Sequence, residues 1–363
     1  MTKDELQIQA AETLEQCRRL ICMWATGTGK SGVVMKFLQS HPDYRTLILV
    51  PEQNNIQNWR DEFTKFGVLD MGVEIACYAS FHKHQHTEWD LLVFDEVPHV
   101  DTEKRKAICQ NVDGQYILAL GAVISDDERR TLESVYGKFK VSEFGLNRAI
   151  NAGLLPSPTI NILHLQLDNK TNVFLYQGVR YTAKRYYAIL QEKVKNAVAA
   201  FNARASYPNQ QKMLRAGNER KRFLGKLKED ALAKVCSVLD SKGKRFICFC
   251  SSINQATKLG EDKAFTSKTP KSMNLLDKFN NKEINSLYVV GKLIEGQNLK
   301  DIECGVIGQL GGTHRITVQE VGRILRSKNP EIYILVFDDT KDDAFLRTLT
   351  DSVSDKYIKH YKF

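Results

Sequence analysis

The sequence lacks any apolar run approaching the roughly 20 residues that cross a bilayer, so no membrane-spanning helix is expected. Its start, Met1-Thr2-Lys3-Asp4-Glu5, is polar and leads into no signal-peptide core, which makes the cytoplasm the expected setting. Cysteine is sparse, at 8 residues, and none form a C-x-x-C pair, so neither a zinc ribbon nor a dithiol redox motif is signalled. Histidine is equally scarce, with 8 in all, yet His82, His84 and His86 crowd together. With no matching ligand cluster nearby, a solvated loop is expected there rather than a metal site. Acids are in deficit too, 43 against 52 lysines and arginines, giving a net charge of +9 and a pI near 9.0. That balance suits a polyanionic partner.

What is present reads as an ordinary globular chain, 42% hydrophobic and 26% charged. At roughly 150 residues per domain, 363 residues predict two domains. Residues 1–153 alternate short apolar runs with helical periodicity. Leu20–Trp24, Thr46–Val50, Leu91–Phe94 and Tyr116–Leu120 are apolar throughout instead of alternating, as strands of a parallel sheet buried on both faces are. Residues 241–363 return to this pattern, with strands predicted at Arg245–Cys250, Ser286–Val290, Cys304–Ile307 and Ile332–Phe337. Residues 154–240 differ. After Pro156 and Pro158, one extended piece, Thr159–Leu167, precedes a long helical stretch rich in lysine and arginine. Between Lys184 and Lys228 the only acids are Glu192 and Glu219. Such a stretch is either a solvated helical linker or a grip on a polyanion, with Lys221 and Arg222 among the contacts in the second case.

The strand Leu20–Trp24 runs directly into Ala25-Thr26-Gly27-Thr28-Gly29-Lys30-Ser31, and an apolar helical pattern follows from Val33. Strand, glycine-rich loop and helix together form the context of a phosphate loop. Gly27 and Gly29 let the backbone turn its N–H groups inward, with Thr26 before them and Thr28 between them. Lys30 offers a positive charge to the β- and γ-phosphates, and the Ser31 hydroxyl is a ligand for Mg²⁺. Trp24 stands where the strict pattern places a small residue. A second strand, Leu91–Phe94, ends in Asp95-Glu96, about 65 residues after Lys30. A carboxylate at a strand end can hold Mg²⁺, and the adjacent acid can align or deprotonate an attacking water.

These residues resemble the superfamily 2 helicases and translocases of the DEAD/DEAH-like group. Asp95-Glu96-Val97-Pro98-His99 is similar to that family's D-E-x-x-H box, and Gln319-Glu320-Val321-Gly322-Arg323-Ile324-Leu325-Arg326 fits its Q-x-x-G-R-x-x-R motif VI. The resemblance implies that Gln319, Arg323 and Arg326 belong to a second lobe and complete the ATP site. The chemical need is a permanently charged planar donor for a transition state of spreading negative charge. Glu295-Gly296-Gln297-Asn298-Leu299 resembles motif V, which implies cofactor contacts for Gly296 and Asn298. Ile48-Leu49-Val50-Pro51 followed by Asn58-Trp59 resembles motif Ia, and Phe249-Cys250-Ser251-Ser252 resembles motif IV. They imply nucleic-acid contacts at Pro51, Gln53, Ser80, Ser251 and Ser252. Gln9 sits where relatives carry an adenine-recognising glutamine. Ala149-Ile150-Asn151-Ala152-Gly153 looks like helicases related to restriction and DNA-repair motors, which favours DNA over RNA. One departure stands out. Gly121-Ala122-Val123 occupies the place of motif III without its two hydroxyls, which implies weak strand separation.

The expected fold is therefore α/β, with two tandem RecA-like lobes (1–153 and 241–363) and a basic helical insertion between them (154–240). The expected activity is ATP hydrolysis with Mg²⁺, driving movement along nucleic acid or its remodelling. A binding scaffold with a decayed motor is the rival. A monomer is the default, with accessory proteins as a source of specificity.

Overall fold

Apolar runs that do not alternate bury both faces of a strand, and the structure lines them up in two all-parallel sheets. The computed structural model describes residues 1–363 apart from 71, 98–108, 270–271, 291–298, 300, 310–323, 325–326 and 351–352. The chain divides into two compact units. The first is built on Met1–Ser157, and the second on Pro158–Ile294, Leu299–Thr313 and Ser327–Phe363.

The first unit holds β1 (Arg19–Trp24), β2 (Thr46–Val50), β3 (Val73–Cys77), β4 (Glu88–Asp95), β5 (Asp113–Gly121) and β6 (Lys140–Phe144). They lie in the order β3-β2-β4-β5-β1-β6. The helices α1 (Lys3–Cys17), α2 (Ser31–Ser40), α3 (Gln53–Phe66), α4 (Asp126–Tyr136) and α5 (Leu146–Asn151) accompany them. A core of Ile21, Leu47, Leu49, Leu92, Phe94, Ile117 and Ala119 packs between sheet and helices. Register decides where the site lies. Asp95 pairs with Leu120, and Met23 pairs with Gly121, so β4, β5 and β1 end level with one another. Loops at this carboxyl edge are where open parallel sheets hold ligands.

The second sheet has the order β11-β12-β10-β13-β14-β7-β15. Its strands are β7 (Thr159–Leu165), β10 (Phe246–Cys250), β11 (Ala264–Phe265), β12 (Ser286–Val290), β13 (Cys304–Ile307), β14 (Glu331–Phe337) and β15 (Ile358–Lys362). A small antiparallel hairpin, β8 (Phe174–Tyr176) with β9 (Val179–Tyr181), precedes α6 (Ala183–Ala203), α7 (Tyr207–Leu227) and α8 (Glu229–Ser241). The helices α9 (Ile253–Gly260), α10 (Ser272–Asn280) and α11 (Lys341–Thr350) complete the described unit.

The stretch 154–240 is not separate from this second sheet. Its extended piece, β7, pairs along its length with β14, and Leu232, Val235, Cys236 and Leu239 of α8 lie in the core. Only α6 and α7 stand apart, as an antiparallel pair buried mainly near their roots. In α6 the buried residues are Ala183, Tyr187 and Leu190; in α7 they are Ala216, Leu224 and Gly225. Tyr187 accepts a hydrogen bond from the backbone of Lys341, and Lys228, just past α7, forms a buried ion pair with Asp342 at 2.6 Å. Two adjacent residues of α11 thus fasten both roots.

Candidate nucleotide site and nucleic-acid face

The loop between β1 and α2 turns on its glycines. Gly27 and Gly29 adopt φ of +89° and +87°, a region that disfavours side chains. A Cβ on Gly29 would also lie 2.5 Å from Gln7 Nε2. Thr28 is buried and its hydroxyl donates to Ala25 O at 2.7 Å, while Ala25 N donates to Phe144 O of β6 at 2.9 Å. Lys30 Nζ reaches back to Trp24 O at 3.2 Å. Trp24 itself is buried and donates from its indole to Ser142 Oγ at 3.0 Å. The large residue is therefore absorbed into the sheet and stays clear of the loop. Thr26 Oγ1 is buried and has no hydrogen-bond partner among the described residues. A buried hydroxyl left in that state costs about 1–3 kcal/mol. Its position in a loop of inward-turning glycines fits a phosphate ligand.

Asp95 ends β4 beside this loop. Trp59 Nε1 of α3 donates to Asp95 Oδ2 at 2.9 Å, and Tyr78 Oη donates to Asp95 O at 2.9 Å. Burial and the adjacent Glu96 charge push the Asp95 carboxyl up to about 6, against the opposing pull of the Trp59 hydrogen bond and Lys30. Glu96 adopts φ of +51°, a left-handed conformation that non-glycine residues take at a cost of about 1–3 kcal/mol. Ser31 Oγ donates to Glu62 Oε2, again from α3, at 3.1 Å. A hydroxyl at the start of α2 and two acids at the end of β4 are oxygen donors of the kind Mg²⁺ takes.

The remaining expected residues fall in several places. Gln9 is exposed on α1, and its carbonyl accepts from Thr13. The glutamine on the phosphate loop is Gln7, whose Nε2 donates to Gly29 O at 2.8 Å. Lys3 Nζ donates to Gly27 O at 2.8 Å, so the two side chains tie α1 over the loop. Pro51 and Gln53 flank the start of α3, with Gln53 exposed. Trp59, which motif Ia resemblance associates with nucleic acid, is instead turned inward to Asp95. Ser80 lies in a 3-10 turn and donates to Cys77 O. Ser252 caps α9, and Ser251 is held by Gln255. Lys221 is half-buried and Arg222 exposed on α7. Gly296, Asn298, Gln319, Arg323 and Arg326 lie outside the described residues, as does His99. His82 and His84 lie in the same 3-10 turn and His86 just past it, with His84 set 3.6 Å from Glu74. Among the described residues no cluster of metal-ligating side chains forms, and no helix is long and apolar enough to cross a membrane.

A strand-loop-helix turn and a strand-end acid pair in one parallel sheet, followed by a second parallel sheet, match the fold of tandem RecA-like lobes. Comparison with known proteins narrows the class. Residues 1–78 match the family model described as type III restriction enzyme, res subunit. The DNA 3'-5' translocase XPB2 of Sulfurisphaera tokodaii is 22% identical over 91% of this chain and 80% of its own length. Rad25 of Halobacterium salinarum is 24% identical over 92% of this chain, which spans about half, 54%, of that relative. The Pyrococcus furiosus Hef helicase domain shares the fold at a TM-score of 0.57 and 13% identity, covering 96% of this chain and 99% of that one. In these comparisons the chain is similar to superfamily 2 helicases and translocases.

Proposed function

We propose that this chain is a DNA-stimulated ATP hydrolase that moves along DNA or remodels it. The observation that carries the reading is the first unit's carboxyl edge, where a phosphate loop with an orphaned Thr26 hydroxyl stands beside the Asp95–Glu96 pair. Lys30 and the loop N–H groups bind the phosphates. Ser31 and Asp95 hold Mg²⁺, which when bound neutralises phosphate charge, and Glu96 orients the attacking water. Gln319, Arg323 and Arg326 stabilise the developing negative charge, a role supported by their match to the motif VI pattern. DNA as the track is supported by the DNA 3'-5' translocase among the relatives. The basic helices α6 and α7, with Lys221 and Arg222, and the residues Pro51, Gln53, Ser80, Ser251 and Ser252 grip the backbone. Binding of that kind is insensitive to sequence and weakens steeply with salt. Because both motif III hydroxyls are absent at Gly121-Ala122-Val123, movement along duplex DNA is favoured over unwinding.

Steady-state ATP hydrolysis, measured alone and with single-stranded DNA, duplex DNA, branched DNA and RNA, tests the reading against a Lys30→Ala control. Stimulation by DNA that disappears in the control is the expected result. Binding of DNA without turnover on any polymer would leave a scaffold in place of a motor, and stimulation by RNA alone would change the track.

A further inference from the structure

One face of α3 reaches both residues assigned to Mg²⁺. Trp59 Nε1 donates to Asp95 Oδ2 at 2.9 Å, and Glu62 Oε2 accepts from Ser31 Oγ at 3.1 Å. Trp59 and Glu62 are three positions apart, so the helix presents them side by side. The face is well fixed. Trp59 is only 4% exposed, Phe63 is buried beside it, and Lys65 Nζ lies 3.0 Å from Glu62 Oε1. The same helix starts at Gln53, directly after Pro51 and Glu52, where the proposed nucleic-acid face begins. From Gln53 to Trp59 the rise along a helix is about 9 Å.

We infer that α3 links the two sites: Trp59 and Glu62 are positioning residues that set the Asp95 carboxylate and the Ser31 hydroxyl for the cation, and DNA seated at the N-terminal end of α3 biases that setting. The inference rests on the functional reading above. The indole N–H fixes the orientation of the Asp95 carboxylate. A serine hydroxyl whose proton is committed to Glu62 turns its lone pairs elsewhere, which is the orientation a cation ligand needs. Both contacts belong to one rigid helix, so a shift of its first turn reaches both ligands together. Thermodynamic linkage makes the effect reciprocal: DNA that tightens the cation must itself be tightened by the cation.

The test is equilibrium binding of a fluorescent ATP analogue, titrated with Mg²⁺ in the absence and presence of duplex DNA. For the wild-type chain, DNA should lower the Mg²⁺ concentration required. Trp59→Phe keeps an aromatic ring in the site but loses the N–H, and Glu62→Ala loses the acceptor. Each should need roughly tenfold to a hundredfold more Mg²⁺, the usual effect of removing a residue that orients a metal ligand. Each should also lose most of the DNA-induced shift, with DNA affinity in the absence of nucleotide held within about twofold. Glu62→Gln keeps an acceptor oxygen and should restore much of the wild-type response. Should Trp59→Phe fail to fold, the Glu62 pair carries the test alone. Wild-type Mg²⁺ titrations from Trp59→Phe and Glu62→Ala would overturn the inference, as would weakened Mg²⁺ binding with an intact DNA shift. Absence of nucleotide or DNA binding by the wild-type chain would overturn the functional reading itself, and that is seen before any variant is made.

Discussion

Replacing Lys228 by methionine would remove one half of an ion pair sealed from water. Both side chains of the Lys228–Asp342 pair are fully buried, with Nζ 2.6 Å from Oδ2. Asp342 Oδ2 also accepts from Phe337 N, and Oδ1 accepts from Gln309 Nε2, each at 3.1 Å. In Lys228→Met the carboxylate keeps these two neutral donors and loses its counter-ion. Breaking a buried pair from one side costs about 3–5 kcal/mol, because the remaining charge has no solvent to fall back on. The effect lies in the second unit, where Lys228 secures the root of α7 and Asp342 begins α11. Hydrogen exchange resolved by peptide is the suitable assay, since a chain of two units need not unfold in one step. At about 1.4 kcal/mol per tenfold, exchange in α8 and β14 should accelerate by roughly two to four decades. Peptides of β1 and α2 serve as the internal reference. Lys228→Met/Asp342→Asn removes the orphaned charge while keeping an acceptor for Phe337 N, so it should recover most of the loss. A Lys228→Met effect below about 1 kcal/mol, or a double variant no better than the single, would refute the reasoning.

Three further outcomes are expected. Thr26→Val removes the orphaned hydroxyl, so thermal unfolding of the nucleotide-free protein should be unchanged or shifted upward by as much as about 1–3 kcal/mol. Its ATP affinity, read by calorimetry, should nevertheless fall about tenfold or more, since a hydrogen bond to a charged group is worth about 1.5–3 kcal/mol. The raised Asp95 carboxyl holds its proton more tightly in the folded protein than in the unfolded chain. Its stabilising share is therefore complete below 3.8, the ordinary value, and lost as pH rises through about 6. A melting-temperature profile over that window should flatten in Asp95→Asn. Finally, Tyr207 is 74% exposed at the tip of the α6–α7 pair, and no acid occurs between Lys195 and Glu219. If bases stack on it at about 1–3 kcal/mol each, Tyr207→Ala should weaken single-strand binding in a fluorescence-anisotropy titration, and Tyr207→Phe should not.

The strands that reveal themselves in sequence are those with neighbours on both sides. Thr46–Val50 and Ser286–Val290 appear with the same limits in the structure, and Leu91–Phe94 and Tyr116–Leu120 lengthen into β4 and β5. The strands that escape notice lie at the sheet edges or are very short. β6, Lys-Val-Ser-Glu-Phe, and β15, Ile-Lys-His-Tyr-Lys, pair on one side only and are largely open to water, so neither carries a continuous apolar run. Polar residues on such edges also discourage further pairing, which disguises them further. The Thr159–Leu167 run was visible as an extended piece, but its place beside β14 depends on a partner about 170 residues away. Nothing local encodes that.

The site shows the same division between local and distant information. The phosphate loop and the strand-end acids depend on contiguous residues, so spacing alone brings them to light. Gln7 and Gln9 do not differ in chemistry, and only the angle at which α1 docks buries one against Gly29 and leaves the other in water. Trp24 looks like damage to a phosphate loop until β6 supplies Ser142 for its indole. Trp59 belongs to a stretch that resembles a nucleic-acid contact, yet its N–H is committed to a carboxylate 36 positions later. A buried indole donor aimed at a half-buried acid is costly to leave unmatched, and so is a hydroxyl committed to Glu62 from 31 positions away. Their joint presence on one helix is what lets α3 connect the proposed cation and DNA sites, and that joint placement is a property of packing that no single motif carries.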